Sequence, residues 1–441
     1  MVIHKKRILS VIITCFTLSQ ASQAETLRDV IATTVSTHPE IRIAAKLRSA
    51  DNEQVAQAKA NYFPTIDANA GYGKEKADNF NSNFITNTLW RTDLGINARQ
   101  PLFDGFFARS EVMRTRAKTN GDAYRVWGTA EDQALSAVQA YLDVLRSREL
   151  VDIARKNYEV HTKTYSMVSH LSEQGLGREA DTEQTSGRVD LAKANLLSAE
   201  NNLHNAEINF QKVTGMEARH LAMPPEVPET DLPKNLEQAL AVAYARHPTL
   251  RSASADIVQA RGQYESSKSK FYPRFDVILN VLQSKNVGGS PGPDHDRLLM
   301  VQMNYNLMQG GKDIAHTRET AYQVQQATEI RNRAEYQVRD LMKLSWEALE
   351  SSQSRIPLLK AHVHSSELTS ASYGRQFQLG KRTILDVLDS QNEHYTALQD
   401  LTNEQYALML ARFRILNAEG RLIEFFNVPL PAEAAIPYTK C

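Results

Sequence analysis

"NYFPTIDANAGYG" occupies residues 61–73, and "KFYPRFDVILNVL" occupies residues 270–282. Each pairs two aromatics with a proline, then alternates apolar with polar or small residues. Each follows a long charged, alanine-rich stretch that reads as helix. Proline cannot continue a helix freely, and it pushes the preceding residue toward extended backbone. Pro64 and Pro273 therefore mark two helix-to-strand transitions in one chain.

The two stretches belong to a duplicated unit. Residues 36–64, "STHPEIRIAAKLRSADNEQVAQAKANYFP", align without a gap to residues 245–273, "ARHPTLRSASADIVQARGQYESSKSKFYP". His38-Pro39 matches His247-Pro248. "PLFDG" (101–105) matches "NLMQG" (306–310), and "EQGLGRE" (173–179) matches "QFQLGKR" (376–382). Internal repetition of this kind sets the architecture before any local assignment. The first repeat takes residues 25–222, with helix 27–62, strands 65–74 and 92–103, long helix 107–173 and helix 178–214. A proline-rich linker follows at 223–233. The second repeat takes 234–426, with helix 235–271, strands 274–284 and 297–308, long helix 312–378 and helix 383–420. Residues 427–441 form a tail.

The strands alternate with period two. Ile66, Ala68, Ala70 and Tyr72 share one face; Asp67, Asn69, Gly71 and Gly73 share the other. Val301, Met303, Tyr305 and Leu307 alternate with Gln302, Asn304 and Asn306. This pattern fits a membrane barrel with a polar lumen and equally a half-buried soluble sheet. The helices shift that balance. The stretches 107–173 and 312–378 are each long enough for a rod of roughly 100 Å at 1.5 Å per residue, the second interrupted by Pro357, where a kink is expected. Val189, Ala192, Leu196, Ala199, Leu203, Ala206, Phe210 and Val213 recur in three- and four-residue steps, a heptad seam. Each repeat thus builds one continuous column and one spliced from two helices. A soluble bundle does not account for a β-hairpin inserted at the end of each rod. Four strands cannot close a barrel, and open edges are not tolerated in lipid. Two copies would supply eight strands and a filled interior; three would supply twelve and a lumen.

Composition narrows the partners. The 51 basic and 51 acidic residues balance, which argues against nucleic acid. "HKKR" (4–7), the apolar run "ILSVIITCFTL" (8–18) and small residues ending at Ala24 read as a signal peptide, residues 1–24, implying export. Its removal would leave 48 basic residues against 51 acidic. "IITC" fits a lipoprotein site poorly, because Thr14 is bulky beside Cys15. Cys441 is then the only mature cysteine, so no intrachain disulfide holds the fold. An enzyme reading fails on the residues. "GGK" (310–312) lacks a phosphate loop's spacing, with Asn306 where glycine is needed and Asp313 in place of Ser/Thr. The twelve histidines show no metal-binding spacing. No cofactor is expected. A coiled-coil surface protein without a channel is the alternative from another class.

"QPLFDGF" (100–106), the duplicated aromatic-proline entry and "LGKRTILDVLDSQ" (379–391) together resemble the TolC family of outer-membrane channel-tunnels, over essentially the whole mature chain. "THPEIR", "LFDGFFARSEV" and "VTG" (213–215) resemble members serving type I secretion, including adhesin exporters. The resemblance implies an α+β membrane channel in the outer membrane, with a large periplasmic portion. It implies a homotrimer with a twelve-stranded transmembrane β-barrel and a helical periplasmic tunnel. It also implies a passive role beside a periplasmic adaptor (membrane fusion protein) and an inner-membrane ABC transporter. Protein is the first expectation for cargo and small toxic molecules the second. The family's acidic entrance residues fall on Asp386 and Asp389 and its gating arginine on Arg382; the first repeat offers only Glu183 and Ser186 at the matching places. The turns Gly175, Leu176, Gly177 and Leu379, Gly380 resemble the tips that meet the adaptor. Asp386 and Asp389, three residues apart, share a helix face. They would form acidic rings that favour cations and raise one another's pKa values. The simpler role is complementing a helix dipole.

Overall fold

The structure is a computed structural model that describes residues 25–78, 80 and 86–438. The segment 1–24 read as a signal peptide, with Cys15, and Cys441 and part of the first hairpin loop lie outside the described residues.

Two rods organise the chain. α3 spans Phe107–Glu173 and α7 spans Lys312–Gln378, each 67 residues. α7 stays helical through Pro357. The shorter helices are α1 (Leu27–Thr37), α2 (Pro39–Ala60), α4 (Glu179–Thr214), α5 (Leu236–Arg246), α6 (Pro248–Lys268), α8 (Ile384–Ala418) and α9 (Leu422–Phe425). They pack as four columns. α3 lies between α2 and α6 near the sheet, and between α4 and α8 farther away; α7 packs on α6 and α8. Side-chain contacts set this register: Arg125 to Asp256, Asn417 to the Glu131 carbonyl, Arg146 to Asn403, and Gln391 to Thr164. The heptad-seam residues of α4 are buried or half-buried. On α3, Ala130, Ala134, Ala137 and Val138 are fully buried, and such small side chains let helix axes approach closely.

The opening helices differ from the sequence reading. Helix 27–62 is two helices broken at His38, and helix 235–271 is broken at His247. Each histidine is extended (ψ 129° and 124°) because a proline follows at the first helical position. Its Nδ1 then accepts from the next helix, from Glu40 N in one case and Thr249 N in the other.

The sheet is β1 (Thr65–Ala77), β2 (Asn87–Phe103), β3 (Arg274–Lys285) and β4 (Pro293–Asn304), antiparallel in the order β1-β2-β3-β4. The fourth strand was expected at 297–308. It ends at Asn304, and Leu307 and Met308 are highly exposed beyond it. The register places Ala68 opposite Ile96, Ile96 opposite Val281, and Val277 opposite Val301, so the apolar stripes of all four strands share one face. That face is exposed at Ile66, Tyr72, Ile96, Leu299 and Val301. The opposite face holds Asp276, fully buried between Arg99 (2.6 Å) and Arg274 (3.1 Å). Tyr72 stacks on Trp90 at the hairpin end; Phe103, Phe106 and Tyr272 cluster edge-to-face at the helix end. Along β2, the residues from Trp90 to Phe103 span roughly 30 Å for a strand tilted near 45°, close to a bilayer's hydrocarbon thickness. No helix among the described residues is long and apolar enough to cross a membrane.

Where α6 gives way to α8 against α3, helix ends are left inside the packing. Glu131, 2% exposed, serves them: its carboxylate accepts from the backbone N–H groups of Leu422 (3.1 Å) and Ile423 (3.5 Å) and from Trp127 Nε1 (3.2 Å). Burial pushes the Glu131 carboxyl up to about 7, outweighing these three donors. In the unfolded chain the group ionises near its ordinary 4.5. Its protonated form thus favours the fold fully below pH 4.5, and that contribution is lost as pH rises toward 7. Relative to Glu131→Gln, the wild-type chain should lose roughly 3 kcal/mol between those limits and change little above them. Denaturant unfolding from pH 4 to 8 measures this; a pH-independent difference between the two proteins would refute it.

Candidate entrance at the helical tips

The ends of the rods farthest from the sheet carry the residues singled out in the sequence. α3 closes through Gly175 (φ 72°), and the N–H groups of Leu176 and Gly177 both donate to the Leu171 carbonyl at 2.9 and 3.0 Å. A Cβ on Gly177 would lie 2.9 Å from Ser172 N, so the tight turn requires glycine there. α7 closes through Gly380 (φ 68°), and Lys381 N–H donates to the Gln376 carbonyl. Leu176 and Leu379 stand out from the two turns, 76% and 70% exposed. Val168, Ile384, Val387 and Leu388 form a small buried core beneath the second turn, with Tyr373 and Phe377 packed on it.

Thr383 and Asp386 form a capping box at the start of α8. The Thr383 hydroxyl and backbone N–H donate to Asp386 Oδ2 at 2.8 and 3.2 Å, and Asp386 N–H donates back to Thr383 Oγ1. These bonds, led by the hydroxyl, hold the Asp386 carboxyl below the usual carboxylate range, with Arg382 adding to the effect. Within one protomer this is the reverse of the increase expected from crowded carboxylates, because donors within its own turn reach the carboxylate. Arg382 stays within its own tip. Its Nε donates to Gln376 Oε1, its guanidinium lies 4.2 Å from the Tyr373 ring centroid, and it is 3.6 Å from Asp386.

The link between neighbouring hairpins comes from a residue that the sequence reading passed over. Arg188 on α4 donates to Asp389 Oδ1 on α8 at 3.1 Å. His161 of α3 is buried close by, and both burial and Arg188 lower its pKa. Arg188 follows Ser186, the position matched to Asp389 in the repeat alignment, by two residues, so a search of the helix flanking that position could have found it. Glu183 is exposed on α4, and among the described residues no hydrogen bond or ion pair joins it to the other acids. Pro64 and Pro273 lie at the far end, immediately before β1 and β3.

Because the Asp389 side chain is 62% exposed, its pair with Arg188 should contribute little stability, within about 1 kcal/mol. Its larger effect is to neutralise Asp389. Arg188→Ala should leave the melting temperature nearly unchanged and increase preference for cations in planar-bilayer recordings. An unchanged reversal potential under a salt gradient would remove Asp389 from the conduction path.

A family model described as outer membrane efflux protein matches residues 30–216 and 239–421, one match in each repeat. The chain is 25% identical to outer membrane protein TolC of Escherichia coli over 92% of this chain and 84% of TolC. It is 21% identical to the alkaline protease secretion protein AprF of Pseudomonas aeruginosa, over 88% of this chain and 82% of AprF. The fold matches the CmeC outer membrane channel of Campylobacter jejuni with a TM-score of 0.80, at 13% identity, covering 90% of this chain and 86% of CmeC. The paired rods and four-stranded sheet are thus a channel protomer's fold, and the chain belongs to the outer membrane efflux protein family, with its sheet in the outer membrane and its helices in the periplasm.

Proposed function

We propose that three copies of this chain assemble into the exit duct of a type I secretion system, passive itself and driven by an inner-membrane ABC transporter through a periplasmic adaptor. The observation that carries the reading is the open sheet. β1 and β4 do not pair with each other, so each protomer presents two free backbone edges beside an apolar, lipid-facing band. Those edges need partners in hydrocarbon. Three copies give twelve strands and a lumen, where two would give a filled barrel. The helical columns repeat the arrangement: Tyr322, Tyr336 and Leu344 on α7, and Leu191 and Leu197 on α4, are exposed along the two outer columns. Such surface suits packing of α7 against the α2/α4 column of the next copy.

The tips support the rest. The exposed turns at Gly175, Leu176, Gly177 and at Leu379, Gly380 suit an adaptor hairpin. Asp386 and Asp389, with Glu183 more weakly, suit a cation-favouring constriction, and Arg382 a latch on it. Protein cargo is favoured by likeness to AprF, whose name specifies protease secretion. Small-molecule efflux is the second reading, favoured by the family's description.

Expressed in a strain lacking its own outer-membrane channel, with a type I transporter and adaptor, the chain should migrate as a heat-modifiable trimer and restore release of a protein bearing a C-terminal secretion signal. Asp386→Ala/Asp389→Ala should keep the trimer, lower cation preference and weaken block by multivalent cations. Restored drug resistance without protein release would favour the efflux reading; a monomer without conductance would end both.

A further inference from the structure

A cavity of about 790 Å³ opens where the helices meet the sheet, over the first turns of α3 and between α2 and α6. Its upper rim is aromatic, from Phe106 and Tyr272, and its wall is basic, from Lys59, Arg109 and Arg116. Phe106 is held in a left-handed conformation (φ 68°), which brings its ring edge-to-face against Tyr272 and Phe103. Phe103 pairs with Phe275, on the apolar face of the sheet. The aromatic rim of the cavity thus adjoins the apolar face. A separate cavity, lined by Arg99, Arg274, Met303 and Tyr305, shares Tyr272 with it.

Among the described residues the basic wall is poorly neutralised: the one acidic side chain lining it, Glu265, is engaged by Lys268 at 2.7 Å. Among the described residues the Lys59 and Arg109 side chains have no carboxylate partner. Arg116 lies over the Tyr438 ring, 5.3 Å from its centroid, and its Nε is buried without a hydrogen-bond partner. Three cationic groups thus converge at the level where the apolar band ends, beneath an aromatic path that runs up onto that band.

We propose that this cavity binds an anionic glycerophospholipid of the periplasmic leaflet, one per protomer. The phosphate lies against Lys59, Arg109 and Arg116, and the acyl chains pass Phe106 and Tyr272 onto the apolar face of the sheet. A soluble anion would need the cations alone; the aromatic rim, continuous with the hydrocarbon-facing surface, fits an amphiphile. All walls come from one chain, from α2, α3 and α6 and the residues that join them to the sheet.

The test is native mass spectrometry of the full-length, detergent-solubilised protein titrated with phosphatidylglycerol or phosphatidylcholine. Phosphatidylglycerol should saturate at one per protomer and outcompete phosphatidylcholine. Lys59→Gln/Arg109→Gln should weaken phosphatidylglycerol binding about thirtyfold, with phosphatidylcholine binding and melting temperature unchanged. Arg42→Gln/Lys46→Gln, at two exposed cations farther along α2, should leave phosphatidylglycerol binding intact. Equal binding of the two lipids, full binding by the Lys59/Arg109 variant, or an equal loss in the Arg42/Lys46 variant would overturn the assignment. So would displacement of phosphatidylglycerol by millimolar inorganic phosphate, which marks a soluble-anion site.

Discussion

Backbone N–H and C=O groups in hydrocarbon have no water to bond, and this constraint governs the molecule. The four strands satisfy each other internally and leave β1 and β4 with free outer edges. Everything that gives the sheet its lipid-facing band, from the shared register of the apolar stripes to the stacked Tyr72 and Trp90, makes those edges costlier to leave open. One chain is therefore a wall segment with two edges left to pair.

The same accounting of polar groups recurs where the columns are spliced. Each continuous rod lies beside a column made of two helices, and every splice creates helix ends inside the packing. α3 supplies the partners. Glu131 accepts the N–H groups at the start of α9. Ten residues along, Tyr141 donates its hydroxyl to the carbonyls of Glu25 and Ala222 at the other splice. A buried acid and a buried phenol in a heavily alanine-lined helix are thus explained by the backbone groups they bond, N–H groups opening α9 in one case and carbonyls beside the Glu25–Leu221 bridge in the other. The Glu131 carboxyl stays protonated toward neutrality because burial outweighs its donors.

At the tips the balance is different. Asp386 is half-exposed, and hydrogen bonds within its own turn lower its pKa and commit it to starting α8. Asp389, outside the cap, is the freer carboxylate and finds Arg188 on the neighbouring hairpin. Two acids one helical turn apart therefore have unequal roles, one mainly local and one between helices.

Much of this was legible in the residues. The duplication, the two aromatic-proline transitions and the period-two stripes specify paired rods, a hairpin on each and a sheet too small to close, because periodicity and proline chemistry act locally. The breaks at His38 and His247 were also encoded, since X-Pro disfavours helix at X, but helical periodicity on both sides masked them. Tertiary structure alone decided which charges meet. Arg188 reaches Asp389, Asp276 sits between Arg99 and Arg274, and Lys59 of α2 and Arg109 of α3 line one cavity. Ion pairing and cavity formation depend on which helix faces converge, and that is fixed by packing between columns, whereas the sequence records only the face on which each residue lies.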